Sequence, residues 1–124
     1  MRFLGALAAA HNLTVRQRQE MASAERNGRI YRHDIGLVER ASHVVALLNG
    51  PSPGVGMELQ HAFNKPLLGL NETPVLGLVH ASIADVVSPM VQGAACYYPL
   101  FHLERYTNAE EAQQAIYQFL LRPR

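Results

Sequence analysis

Cysteine is almost absent from this chain: Cys96 stands alone, which excludes an internal disulfide and any metal site built from a cysteine cluster. A reducing, cytoplasmic setting is the expectation that follows. Basic runs are missing too, and the formal charge is only +1 at pH 7. No electrostatic footprint for a nucleic acid polymer or a membrane surface is therefore expected, and any anion the protein binds is small and locally held. No apolar stretch has the length of a membrane span. The opening Met1 to Ala10 has a short apolar part that stops at His11-Asn12, so it reads as a helix in preference to a cleaved leader. His33, His43, His61, His80 and His102 follow no metal-binding spacing, so no metal is expected. Internal repeats and low-complexity tracts are lacking as well.

What is present is a chain of 124 residues, 48% hydrophobic and 17% charged, a composition that reads as one globular domain over 1–124. Phe3, Leu4 and Leu7 predict a helix over 2–10, followed by a short strand over Leu13 to Gln17. The polar stretch Glu20 to Gly28 predicts a loop or a marginal helical turn. Ile30, Tyr31, Ile35, Leu37, Val38 and Ala41 predict an amphipathic helix over 29–41. Val44 to Leu48 is short, β-branched at its start and apolar on both faces, as in a covered parallel strand. A helix over 54–64 follows, then a second buried strand over Leu67 to Leu70. Val75 to His80 reads as extended or partly helical, and Ser82 to Val91 as a helix that Ser88-Pro89 interrupts or restarts. A last strand around Phe101 to Leu103 and a terminal helix over Ala109 to Leu121, capped by Asn108, complete an open parallel α/β pattern.

The chain is organised around Pro51-Ser52-Pro53-Gly54-Val55-Gly56-Met57-Glu58-Leu59. Here a buried strand gives way to a glycine-rich corner and a helix, the arrangement that presents free N–H groups to a ligand at the carboxyl end of a strand. Ser52, Gly54 and Gly56 allow a close backbone approach to an anion, and Glu58 sits one turn inside the helix. Taken alone, the spacing fits equally well a loop of turn formers with Glu58 favourably placed on the helix dipole. Asp34, by itself, reads as a solvated helix residue.

Together, Asp34 within Tyr31-Arg32-His33-Asp34-Ile35, the strand from Val44, the corner from Pro51 to Leu59 and Lys65-Pro66-Leu67-Leu68 resemble the nucleoside 2-deoxyribosyltransferase superfamily. The resemblance covers most of 29–96. It is nearest to the 2′-deoxynucleoside 5′-phosphate N-hydrolase branch, whose loop reads Pro-Ser-x-Gly-Val-Gly-x-Glu-Leu, and Ser88-Pro89-Met90-Val91-Gln92-Gly93-Ala94-Ala95 is similar to another segment of that branch. The resemblance implies a flavodoxin-like or Rossmann-like open parallel sheet of four to five strands with helices on both faces. It implies hydrolysis of the N-glycosidic bond of a deoxynucleoside 5′-monophosphate without a cofactor. Glu58 matches the nucleophile, Asp34 the carboxylate that assists proton delivery to the leaving base, and Ser52 a phosphate ligand beside Gly54 and Gly56. Ser88 matches a serine that reaches the phosphate from a neighbouring subunit, which implies a homo-oligomer. A retaining N-glycosidase needs these residue types: an ionised carboxylate below the anomeric carbon and a proton source near the base.

Base exchange between deoxynucleosides is the related alternative. Ser52 favours the hydrolase, because the transferase branch commonly carries an acidic residue in this part of the loop. A catalytically silent nucleotide-binding or assembly domain is the third reading. The family opens with a central strand and a loop bearing tyrosine, glycine and often arginine. Residues 2–17 match instead the end of its first helix and its second strand, so the resemblance implies a shortened domain without the middle strand.

Overall fold

The computed structural model describes residues 14–123. The expected helix over 2–10 lies outside them. The chain divides into two compact units, one up to Leu37 and one from Val38 onward.

The described residues of the first unit form most of a 26-residue helix, α1, Val15–Arg40. The expected strand ending at Gln17 is helical from Val15, and the expected loop at Glu20 to Gly28 is helical throughout. Both differences have one cause. Thr14 and Gln17 form a reciprocal capping box: the Gln17 amide donates to Thr14 Oγ1 at 3.0 Å and the Thr14 amide to Gln17 Oε1 at 2.9 Å. Once the first turn is satisfied in this way, the alanine, glutamine, glutamate, arginine and methionine that follow propagate the helix without an apolar stripe.

In the second unit, β1 (Val44–Leu47), β2 (Val75–His80) and β3 (Phe101–Tyr106) form a parallel sheet in the order β1-β2-β3. Val44 aligns with Val75, and Val75 with Phe101. The fold of this unit is thus α/β with a parallel sheet, but there are three strands among the described residues where four to five are expected. One expected strand, Leu67 to Leu70, is a 3-10 turn over Lys65–Leu68 closed by Gly69 at φ 77°. Pro66 withholds a backbone donor, and the left-handed closure suits glycine. Leu67 is consequently 83% exposed. Val75 to His80, read as extended or partly helical, is the central strand, with every residue but His80 buried.

Two crossovers connect the strands. The first is α2 (Pro53–Phe63) followed by the 3-10 turn. The second is a 3-10 turn over Ala81–Val86 followed by α3 (Pro89–Tyr97). The helix expected over 82–91 is broken at Ser88-Pro89, where an interruption or restart is expected: a residue preceding proline is pushed out of the helical region, and Ser88 takes ψ 131°, while the part before it is a 3-10 turn. Ala46, Val75 and Phe101 on one face of the sheet pack with Val38, Leu59 and Ala62, with Val91, Ala94 and Ala95 of α3 set against them. On the other face Leu76 and Leu78 pack with Phe119 and Ile116 of α4, Ala109–Leu121. Asn108 caps that helix, accepting from the Glu111 amide at 2.8 Å.

Lys65 is 2% exposed. Its ammonium donates to the carbonyls of Val38 at 3.0 Å and Ala41 at 2.9 Å, which satisfies acceptors that the end of a helix leaves open.

Candidate functional site

The carboxyl ends of β1 and β2 open into a cleft of about 470 Å³. Leu48, Asn49 and Gly50 form the wall after β1. Ser52, Val55, Gly56 and Leu59 come from the start of α2, and Ile83, Val86, Val87, Ser88 and Val91 from the second crossover. This is the position in which parallel α/β sheets hold ligands.

Both crossover helices begin at this cleft in the same way. Ser52 precedes Pro53 and accepts the Val55 amide at 3.3 Å; Ser88 precedes Pro89 and accepts the Met90 amide at 3.2 Å. Proline at the first helical position fixes φ where its missing N–H is no loss, while the serine leaves most of the first-turn amides available. Two positive helix ends therefore border one mainly apolar cavity. No residue lining it carries an ionisable side chain.

The structure thus brings Ser52, Gly56 and Ser88 together within one chain. Gly54 lies in the first turn of α2 and is not part of the cleft wall. Glu58 is half-buried and has no hydrogen-bond or ion-pair partner among the described residues. Helical periodicity places it on the shoulder of α2 opposite Gly56, on the side of His61, whose Nε2 lies 2.9 Å from Glu39 Oε2. It is not among the residues lining the cleft. Asp34 belongs to the first unit, where its carboxylate lies 3.1 Å from His33 Nδ1. Among the described residues no group of three or more histidine, cysteine or acidic side chains is arranged to hold a metal, and no helix is long and apolar enough to cross a membrane.

Behind the cleft, a polar network ties the carboxyl ends of all three strands. Asn49 accepts the His80 amide at 2.9 Å and donates to the Tyr106 hydroxyl. The His80 ring accepts the Ser82 amide on Nδ1 at 3.1 Å, and Nε2 lies 3.2 Å from the Thr107 carbonyl. Those partners assign the ring proton to Nε2. Sequence reasoning treats Asn49 as a turn former and passes over Gly77. A Cβ on Gly77 would stand 2.8 Å from both Leu103 Cδ2 and Leu48 Cδ1, so the absence of a side chain lets Leu48 seat beneath the cleft. The only sequence signal for this is a glycine inside an apolar strand, which marks close approach by a neighbour.

No family model matches this chain, and no curated protein matches it significantly.

Proposed function

We propose that the protein binds a 2′-deoxynucleoside 5′-monophosphate in the cleft and hydrolyses its N-glycosidic bond. The observation that carries this reading is the convergence of two serine-capped helix N-termini on an otherwise apolar cavity. Backbone amides and hydroxyls suit a phosphate, and aliphatic walls suit a base and a deoxyribose lacking its 2′-hydroxyl. The chemical step rests on the resemblance. A Glu58 oxygen bonds to the anomeric carbon as the C–N bond breaks, and the electron pair of that bond leaves with the base, which takes up a proton. Water then displaces Glu58, releasing deoxyribose 5-phosphate with net retention. No cofactor is needed. In this reading Ser52 and Ser88 of the same chain serve one phosphate, whereas the resemblance has the second serine come from a neighbour. The protein is cytoplasmic and homo-oligomeric in the same reading.

One observation favours a second reading, a silent nucleotide-binding domain: the cleft wall holds no carboxylate. Incubating the purified chain with the four deoxynucleoside monophosphates and following free base separates the two. Base release that Glu58→Ala abolishes supports hydrolysis. A rate unchanged by Glu58→Ala removes that residue as nucleophile, and saturable binding without release leaves the silent domain. Base exchange is recognised by adding a second free base and finding it attached to the sugar. Ser52→Ala is expected to weaken the monophosphate about tenfold, and more than the nucleoside, since a hydrogen bond to a charged oxygen is lost. Ser52→Asp should reverse the preference. Equal effects on both ligands remove Ser52 from phosphate recognition.

A further inference from the structure

Among the described residues no strand pairs with the outer edge of β1. Val44 and Leu48 direct their amides to Pro74 and Leu78 of the β2 side, so alternation turns the N–H and C=O groups of Val45 and Leu47 toward the open edge. The side chains of the same two residues lie on the α4 face, aligned with Leu76 and Leu78. They are 40% and 62% exposed, whereas Leu76 and Leu78 are wholly buried. α4 packs on β2 and β3, with its Phe119 also edge-on to His43 just before β1 at 5.6 Å. Arg122, just past the end of α4, reaches Glu104 of β3 at 3.2 Å. The opposite flank of α4 carries the exposed Leu120, while Tyr117 lies on its solvent side.

Edge strands are ordinarily protected by charge, proline or a bulge. From Ser42 to Gly50 there is no charged residue and no proline, and the strand is its own complement. In an antiparallel pair about a two-fold axis through Ala46, Val45 stands opposite Leu47 of the second copy, and Leu47 opposite its Val45. All outward amides and carbonyls of both residues are then satisfied, and the exposed apolar side chains meet each other on one face. His43 meets Asn49, so no like charges oppose. The two copies of α4 lie on the same side of the joined sheet, separated by two strands, about 10 Å, with their Leu120 flanks toward each other.

We propose that β1 is a homodimerisation edge, two copies of the chain joining into a continuous six-stranded sheet through antiparallel pairing centred on Ala46. The contact is small, at or below about 1,200 Å² in total, so the dimer forms in the micromolar range. The proposal does not depend on what the cleft binds.

Sedimentation of the full chain across micromolar concentrations should show a reversible monomer–dimer equilibrium. Leu47→Lys, at an exposed position that leaves the fold intact by circular dichroism, should weaken it by at least about tenfold by placing charge on the edge. The register is read separately. In a Cys96→Ser background, Val45→Cys and Leu47→Cys chains should crosslink on oxidation when mixed and not when alone, because hydrogen-bonded antiparallel partners have Cα atoms about 5.5 Å apart, within disulfide reach. A monomer at every concentration overturns the proposal, including one whose Val45 and Leu47 amides are protected from exchange because another segment of the chain covers the edge. A dimer indifferent to Leu47→Lys, or crosslinking without the mixed-pair preference, overturns it equally.

Discussion

β1 and β2 are hydrogen-bonded neighbours of almost the same composition, Val-Val-Ala-Leu-Leu against Val-Leu-Gly-Leu-Val, yet their environments are opposite. Val75, Leu76 and Leu78 of β2 are 1% exposed or less, while Leu47 of β1 is more than half exposed. The difference teaches that an apolar run specifies a strand but not its burial, which depends on whether neighbours occupy both of its edges and both of its faces. β2 has a strand on each side and a helical layer above and below. Among the described residues β1 has one neighbouring strand and, on the face of Ala46, one helical layer.

Paired truncations should give the widest separation between the two strands. Leu78→Ala is expected to destabilise the protein by about 3 kcal/mol, the transfer term plus a cavity at the centre of the sheet. Leu47→Ala should stay within about 0.5 kcal/mol in dilute solution. Chemical denaturation of both variants checks the contrast, and equal losses would mean that the β1 face is covered. Adding volume tests the same strand from the other direction. Gly77→Val should cost about 1 to 3 kcal/mol, because its branches meet Leu48, Leu103 and Phe101, and it should also reduce ligand binding by lifting Leu48 into the cleft. A thermal midpoint unchanged by Gly77→Val would show that those side chains swing away freely.

Smaller effects belong to the helices that join the strands. Ser88→Ala removes the cap of α3 and is expected to lower stability by about 1 kcal/mol, with Ser88→Gly losing only a few tenths. A matching loss in the glycine variant would point to a role for the hydroxyl other than capping. The smallest effect is at Glu111, in the first turn of α4. Hydrogen bonding from the Thr107 hydroxyl, and then from its amide at 2.9 Å, holds this carboxyl below its ordinary value. Because the folded pKa is depressed, the associated stability is fully present above the ordinary carboxylate range and is lost as pH falls through the folded value. Glu111→Gln should therefore flatten the acid limb of the stability profile slightly, a difference that denaturation midpoints on either side of that range would reveal.

Much of this architecture is legible in local pattern. The apolar runs at Val44 and Phe101, the Ser52-Pro53 corner and the Asn108 cap each carry their own signal, and each begins or ends an element close to where the pattern puts it. The failures occur where two local signals compete. Lys65-Pro66-Leu67-Leu68-Gly69-Leu70 has the apolarity of a buried strand, but proline and a left-handed glycine turn it into a 3-10 turn whose one buried side chain is the lysine. Thr14 to Gln17 has the β-branched content of a strand, yet its side chains fit a capping box. At the cleft, Ser52 and Gly56 stand out in sequence by turn chemistry. Ile83 and Val86 do not, because lining a cavity is a property of neighbours brought together by the crossovers. The sharing of one cleft by Ser52 and Ser88 within a chain is likewise a tertiary fact.

The parallel register has a consequence for how the sheet assembles. Val44 must find Val75, and Val75 must find Phe101, each partner some thirty residues further along, so no hairpin can nucleate the structure and every pairing waits for a loop of that size to close. On a ribosome the order becomes a sequence of events. β1 emerges before its described partner exists, and its inner edge stays unpaired until β2 has been made. Once β2 has docked, β3 can seal its far side, and the inner edge of β1 is safe. Its outer edge, like that of β3, gains no strand from the described residues made after it.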